Sequence, residues 1–90
     1  MSSISIVYFT KQGCGPCNLL KPVMDKLATT MSVTRIDVEL APRDVAAHNI
    51  SSVPTILYLR NGQVVHRQSG HRGRELILAT IRSLSDQDNV

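Results

Sequence analysis

The chain has 90 residues, of which 42% are hydrophobic, and it carries a formal net charge of +3 at pH 7. This length accommodates one domain over 1–90 and leaves little room for a second. The sequence shows neither an apolar run long enough to span a bilayer nor a secretory leader, so we expect a cytoplasmic protein with no membrane partner. Two cysteines are fewer than a secreted, disulfide-held mini-protein usually carries.

Basic residues outnumber acidic ones after position 59. Such a run is most often a solvated surface, so it is weak evidence for an acidic partner. The aromatic residues Tyr8, Phe9 and Tyr58 all lie in strand-like runs, where they predict core packing rather than base stacking. The sequence therefore gives no support for nucleic-acid binding.

The first predicted elements are a strand over 4–9 and a helix that follows a break at Gly13. Residues 4–9 are almost continuously apolar and β-branched, as in a strand buried on both faces. Apolar residues then recur at three- and four-residue spacing over 17–31, which predicts an amphipathic helix. Pro22 lies within that helix and is expected to kink it.

A second strand is predicted over 33–38 and a short helix over 41–49. The strand has imperfect apolar alternation. Pro42 suits the first turn of the helix, where a missing N–H group has little effect on hydrogen bonding.

A hairpin is predicted over the next part of the chain. Residues 55–59 and 63–67 are strand-like, and Asn61 and Gly62 lie between them. Asn-Gly favours a type I′ turn because both residues tolerate positive φ. Gly70 is expected to end the fourth strand.

The last predicted helix covers 75–84, and residues 85–90 form a polar tail. The element order β-α-β-α-β-β-α predicts an α/β fold with a four-stranded mixed sheet and helices on both faces. Parallel pairing suits the two β-α units, whereas the hairpin adds an antiparallel edge.

Cys14 and Cys17 form a C-x-x-C motif between the first strand and the first helix. A helix N-terminus stabilises a thiolate, which is the attacking species in disulfide exchange. We expect Cys14 to attack a substrate disulfide and Cys17 to resolve the mixed disulfide. Gly15 and Pro16 suit the turn, and Lys11 is a candidate for additional positive charge nearby.

The alternatives for the two cysteines are a buried core pair and half of a zinc site. Zinc would need further ligands, and the three histidines have no convincing ligand spacing. The strand–loop–helix context favours redox function, with no bound metal.

Val53-Pro54 is the second candidate feature, because it opens the predicted third strand. A cis bond here would turn the backbone sharply beside the cysteines, and free backbone groups of Val53 would then suit an extended substrate segment. The alternative is an ordinary trans proline, which is the commoner state of X–Pro bonds.

Five features over about residues 4–84 resemble the thioredoxin family. They are Cys14-Gly15-Pro16-Cys17, Pro22, Val53-Pro54-Thr55, Asn61-Gly62 and Gly70. The resemblance implies a thioredoxin-like fold, a cis Val53–Pro54 bond, Gly70 near the active site, and reduction of protein disulfides. It also implies that no cofactor is bound and that electrons come from NADPH through a flavin-dependent thioredoxin reductase. Nothing in the sequence suggests more than a monomer. Ribonucleotide reductase is a reasonable client.

Three departures from the family pattern are visible. The chain lacks the amino-terminal strand and helix of full-length thioredoxins, so it resembles a shortened version close in size to glutaredoxins. Gly13 stands where the family has a tryptophan. Tyr8 and Val33 occupy the positions of a buried aspartate and its lysine partner, so Cys17 would rely on water or another group for deprotonation.

Two other functions remain open. One is a glutathione-dependent glutaredoxin, because residues 8–11, just before the cysteine motif, are similar to those of glutaredoxins. Arg35, Arg72 and Arg74 are candidates for holding the carboxylates of glutathione. The Gly-Gly stretch that holds glutathione in that family is not evident. The other alternative is an accessory module that uses the fold without turnover.

Overall fold

The computed structural model describes residues 4–87. The seven elements occur in the predicted order β-α-β-α-β-β-α. Their bounds are β1 (Ile4–Thr10), α1 (Gly15–Leu27), β2 (Val33–Asp37), α2 (Pro42–Ala47), β3 (Thr55–Arg60), β4 (Gln63–Ser69) and α3 (Arg74–Gln87).

The strands form one mixed sheet in the order β2-β1-β3-β4. β1 pairs with β2 in parallel, whereas β3 is antiparallel to both β1 and β4. The predicted mixed sheet is confirmed. Parallel pairing holds only for the first β-α unit, because β3 runs opposite to β1.

The brevity of α2 explains this reversal. A parallel connection must carry the chain back along the whole sheet, but six residues of helix extend only about 9 Å. The chain therefore re-enters the sheet from the end at which β1 and β2 finish. Thr55, the first residue of β3, pairs with Phe9 near the end of β1. The loops after β1 and before β3 thus lie side by side.

The main core lies between the sheet and the two longer helices. Alternate residues of β1 and β3 point to this side because successive side chains of a strand face opposite ways. The buried cluster contains Ile4, Ile6, Tyr8, Ile56 and Tyr58 of the sheet, with Leu20 and Met24 of α1 and Ile77 and Leu84 of α3. The helical spacing of the apolar residues in α1 and α3 is therefore a core signal.

α2 contacts the opposite face of the sheet. The ring of Phe9, which is fully buried, lies 6.0 Å from the ring of His48 at the end of α2. Arg67 of β4 donates hydrogen bonds to the backbone carbonyls of His48 at 2.6 Å and Asn49 at 2.8 Å. The first of these bonds satisfies the carbonyl of the residue that caps α2, which has no intrahelical partner, and the second holds the residue that follows it.

α1 ends at Leu27, four residues before the predicted end. The hydroxyls of Thr29 and Thr30 donate to the carbonyls of Lys26 and Leu27, and such local bonds compete with helix continuation. Met31 lies beyond the helix but still packs partly buried against the core.

The predicted hairpin turn is confirmed. Asn61 and Gly62 have φ values of 52° and 83°, as a type I′ turn requires. Tyr58 pairs with His66 and the next residue of β3 pairs with Val64, so Val65 is an unpaired residue in a β-bulge.

α3 extends to Gln87, three residues beyond its predicted end. Residues 85–87 of the predicted polar tail are therefore helical. The remainder of that tail, 88–90, lies outside the described residues.

Ile77 and Leu76 are adjacent in α3 but differ in burial, which allows a matched test of the core. Ile77 is 0% exposed and Leu76 is 48% exposed. We expect Ile77→Ala to lower the free energy of unfolding by about 2–5 kcal/mol, because it leaves a cavity. Leu76→Ala should lower the free energy of unfolding by about 0.5 kcal/mol or less. Urea unfolding of both variants checks this, and equal losses would contradict the assigned core.

Stability should fall at alkaline pH because of Tyr58. Burial raises the pKa of its phenol to about 12. The folded state therefore resists deprotonation of Tyr58. The contribution of this phenol to the free energy of unfolding is fully present below pH 10 and is lost as the pH rises from 10 through 12. We expect a loss of about 2 kcal/mol that is missing in Tyr58→Phe. Urea unfolding of both proteins at pH 9 and pH 12 measures it, and parallel losses in the two would refute the assignment.

Candidate active site

Cys14 and Cys17 are joined by a disulfide at the N-terminus of α1, with 5.2 Å between their Cα atoms. The site is built where a buried strand ends and a helix begins. β1 ends at Thr10, at one end of the sheet. Gly13 then turns the chain with a φ of 76°, and α1 starts at Gly15. Pro16 lies in the first turn, where its fixed φ suits a helix start.

The sulfur of Cys14 caps the helix. The backbone N–H of Cys17 donates to Cys14 Sγ at 3.2 Å, so the sulfur takes the place usually filled by a capping oxygen. The first turn of α1 contains no acidic residue. After reduction, the same N–H group and the helix dipole would stabilise a negative charge on Cys14.

The two cysteines differ in exposure. Cys14 is half-buried, whereas Cys17 is only 3% exposed. An attacking thiolate must be accessible to its substrate, and a resolving thiol needs only to reach its neighbour. The geometry thus distinguishes the two sulfurs in the way that a two-step exchange requires.

The Val53–Pro54 bond is cis, and its loop lies beside the disulfide. Cys14 Sγ is 4.0 Å from the carbonyl oxygen of Val53. The N–H of Gly70 donates to the carbonyl of Pro54 at 2.8 Å, which brings the end of β4 to the same place. The predicted residues Cys14, Val53, Pro54 and Gly70 are therefore close together.

Lys11 is exposed in the loop after β1 and lines two shallow cavities that flank the site. One of them lies on the Val53 side. The other, of about 100 Å³, contains Cys17 and Tyr8 and is also lined by Lys21 and Arg35. We call this second space the Cys17 cavity.

Sequence reasoning did not bring Lys21 and Arg35 together at the Cys17 cavity. Lys21 follows Cys17 by four residues and so shares its helix face, a spacing that could have indicated it. Arg35 reaches the cavity because β2 pairs with β1, Arg35 standing opposite Tyr8.

Within residues 4–87, no group of three or more His, Cys, Asp or Glu side chains is arranged to hold a metal ion. None of the helices over that same range is both long and apolar enough to cross a membrane.

A family model described as Thioredoxin matches residues 1–83 of the chain. The Chlamydia trachomatis thioredoxin is 28% identical over 83 residues, covering 89% of this chain and 81% of that protein. The Mycobacterium tuberculosis thioredoxin is 33% identical over 85 residues, covering 90% of this chain and 71% of that protein. These similarities span nearly all of the chain.

Solved structures agree with these similarities. A mutant thioredoxin from Halobacterium salinarum superposes with a TM-score of 0.86 at 27% identity, over 93% of this chain and 76% of that one. A reduced Schistosoma mansoni thioredoxin pre-protein superposes with a TM-score of 0.82 at 24% identity, over 92% of this chain and 80% of that one. At this identity the similarity supports the fold alone.

The unequal exposure of the two sulfurs predicts unequal alkylation. In the reduced protein, iodoacetamide should modify Cys14 at least about tenfold faster than Cys17, because Cys14 is accessible and lies at the helix N-terminus. Peptide mass spectrometry at short times locates the label. As controls, Cys17→Ala should react like the wild type and Cys14→Ala should react slowly. Faster labelling of Cys17 would contradict the geometry.

Proposed function

The chain belongs to the thioredoxin family of thiol–disulfide oxidoreductases, and on that basis we propose that it reduces client disulfides with Cys14 as nucleophile and Cys17 as resolving thiol. One observation carries these roles. The half-buried Cys14 sulfur accepts the Cys17 N–H at the start of α1, whereas Cys17 is almost fully buried.

The reaction has two steps. The Cys14 thiolate attacks one sulfur of a client disulfide, which forms a mixed disulfide and releases the other client sulfur as a thiolate. Cys17, after losing its proton, attacks Cys14. The Cys14–Cys17 disulfide forms, the second client sulfur leaves, and the client has gained two electrons and two protons in total.

Client binding is proposed at the loop beside the disulfide. Among residues 4–87, the backbone N–H and carbonyl of Val53 make no backbone hydrogen bond. An extended client segment has the complementary groups and would add to this edge as a short strand. Pro54 and Gly70 would form the floor next to it, and Lys11 would supply positive charge to the active-site loop.

Family membership implies disulfide-containing substrates and a reductase partner. We propose that the partner is a flavin-dependent thioredoxin reductase that passes electrons from NADPH, and that ribonucleotide reductase is among the clients. We further propose that all 90 residues act as one domain, as a monomer in the cytoplasm.

A glutathione-dependent activity is the second candidate, and the Cys17 cavity favours it. Its rim carries Lys11, Lys21 and Arg35, and such cations suit the carboxylates of a small acidic thiol. Arg72 and Arg74, the other candidates, are not among the residues that line this cavity. A non-catalytic accessory role is less favoured, because the disulfide pair is intact and its nucleophilic sulfur is accessible.

Insulin reduction distinguishes these functions. The protein, at catalytic concentration, is driven either by NADPH with thioredoxin reductase or by NADPH with glutathione and glutathione reductase. We expect turnover with thioredoxin reductase and none with glutathione, because the family match is to thioredoxins. NADPH consumption and insulin precipitation report the rate.

Cys14→Ser is the control and should abolish turnover in both systems. Turnover with glutathione alone would replace the proposed function with the second candidate. Full biological activity of a Cys14→Ser, Cys17→Ser double variant would favour the accessory role instead.

A further inference from the structure

A further cavity lies between α1 and α3, and neither cysteine lines it. Its volume is about 210 Å³, and its apolar wall is formed by Val23, Leu27 and Leu78. All three side chains are half-buried, and Val23 and Leu27 also pack against the main core. Apolar surface is therefore left open to solvent between the two helices. We call this space the α1–α3 cavity.

Two positively charged side chains, one from each helix, also line this cavity. Lys26 lies in the last turn of α1 and Arg74 is the first residue of α3, and both are exposed. Neither has a carboxylate within 4.0 Å in the described part of the chain. Among residues 4–87, no acidic side chain lines the cavity. An apolar wall and uncompensated positive charge therefore lie side by side.

The other polar side chains of the α1–α3 cavity are already engaged as donors. Thr29 and Thr30 line it, but their hydroxyls donate to the backbone carbonyls of Lys26 at 2.7 Å and Leu27 at 3.3 Å. The side-chain donors that remain for a ligand are the ammonium of Lys26 and the guanidinium of Arg74. A carboxylate is the acceptor that forms the strongest hydrogen bonds with such cations.

The size and position of the cavity favour a small molecule over a peptide. Because an apolar cavity of about 150 Å³ holds a benzene ring, a volume of 210 Å³ accommodates an apolar group of about six to eight carbons. A bound peptide helix needs a groove with several successive anchor pockets, and an extended peptide needs a free strand edge. The α1–α3 cavity is a single pocket between two helices and offers neither.

We propose that the α1–α3 cavity binds a free monocarboxylic acid with an apolar chain of about six to eight carbons. The chain packs against the apolar wall, and the carboxylate lies at Lys26 and Arg74. Lys26 follows Cys17 by nine residues along α1, a rise of about 14 Å, so this site is separate from the disulfide. Binding there needs neither cysteine and is independent of the proposed reductase activity.

Octanoate is the probe, with octylammonium and acetate as matched controls. Octylammonium has the same chain with the opposite charge, and acetate has the same charge without the chain. Backbone-amide NMR titration of the whole protein locates the site and measures the dissociation constant. We expect octanoate to shift amides within 23–30 and 74–78, with a dissociation constant on the order of 0.1–1 mM. Octylammonium and acetate should bind at least about tenfold more weakly.

Chain length distinguishes a cavity of limited size from adsorption on exposed apolar surface. Hexanoate should bind about tenfold more weakly than octanoate, because it buries two fewer methylene groups and each contributes roughly fourfold to the affinity. Decanoate should gain little over octanoate, because its last carbons extend beyond the wall of the cavity. An affinity that rises as steeply from octanoate to decanoate as from hexanoate to octanoate would overturn the proposal.

Lys26→Gln and Arg74→Gln should each weaken octanoate binding by about two- to fivefold at low salt, and about 1 M salt should narrow the difference from wild type. Both side chains are exposed, so we expect both variants to fold, and far-UV circular dichroism verifies it. Arg82→Gln is the matched control, because it removes another exposed arginine of α3 that does not line the cavity. Equal weakening in all three variants would indicate an effect of net charge alone and overturn the site.

A Cys14→Ser, Cys17→Ser double variant separates this binding from the redox chemistry. It should bind octanoate as tightly as the wild type, because neither cysteine lines the α1–α3 cavity. Loss of binding in this variant, or octanoate shifts confined to amides around the disulfide, would place the ligand at the active site and overturn the proposal. So would a short peptide of leucine and glutamate that shifts the amides of 23–30 and 74–78 when octanoate does not. None of these results bears on insulin reduction, which tests the proposed function by itself.

Discussion

The antiparallel pairing of β3 with β1 is the constraint on which the site depends. Thr55 begins β3 opposite Phe9, at the end of β1 that leads to the cysteines. A parallel β3 would have begun at the opposite end of the sheet, so the loop before it would not lie beside the disulfide. The short α2 and the bonds from Arg67 to the carbonyls of His48 and Asn49, just after the helix, keep the chain at this end of the sheet. The disulfide and the cis-proline loop therefore lie at the same end of the sheet because of the direction of β3.

Local signals in the sequence were enough to predict much of this arrangement. Element order, the Asn61-Gly62 turn and the C-x-x-C motif before α1 all depend on neighbouring residues, so short-range physical chemistry identifies them. The direction of β3 was not predictable in the same way, because it depends on the distance that a six-residue helix can cover. The cis state of Val53–Pro54 was open on residue physics alone, and only family resemblance indicated it.

The Cys17 cavity illustrates the other limit of sequence reasoning. Tyr8, Lys21 and Arg35 come from a strand, a helix and a neighbouring strand, and no spacing along the chain indicates all three. They converge because β1 and β2 pair in register and α1 packs over β1. A phenol and two cations therefore line the space beside Cys17. The family resemblance directed attention to Tyr8, but no sequence pattern placed Lys21 and Arg35 around it.

The bulge at Val65 has a consequence for how copies of the protein meet one another. β4 is a seven-residue edge strand, and an edge of that length can recruit a strand from another molecule. The unpaired residue increases the local twist of β4, and Arg67 adds a charge. A flat strand from another molecule therefore cannot form a continuous row of backbone hydrogen bonds with β4. The other edge, β2, carries Arg35 and Asp37. Both edge strands of the sheet thereby disfavour strand-to-strand pairing between copies of the protein.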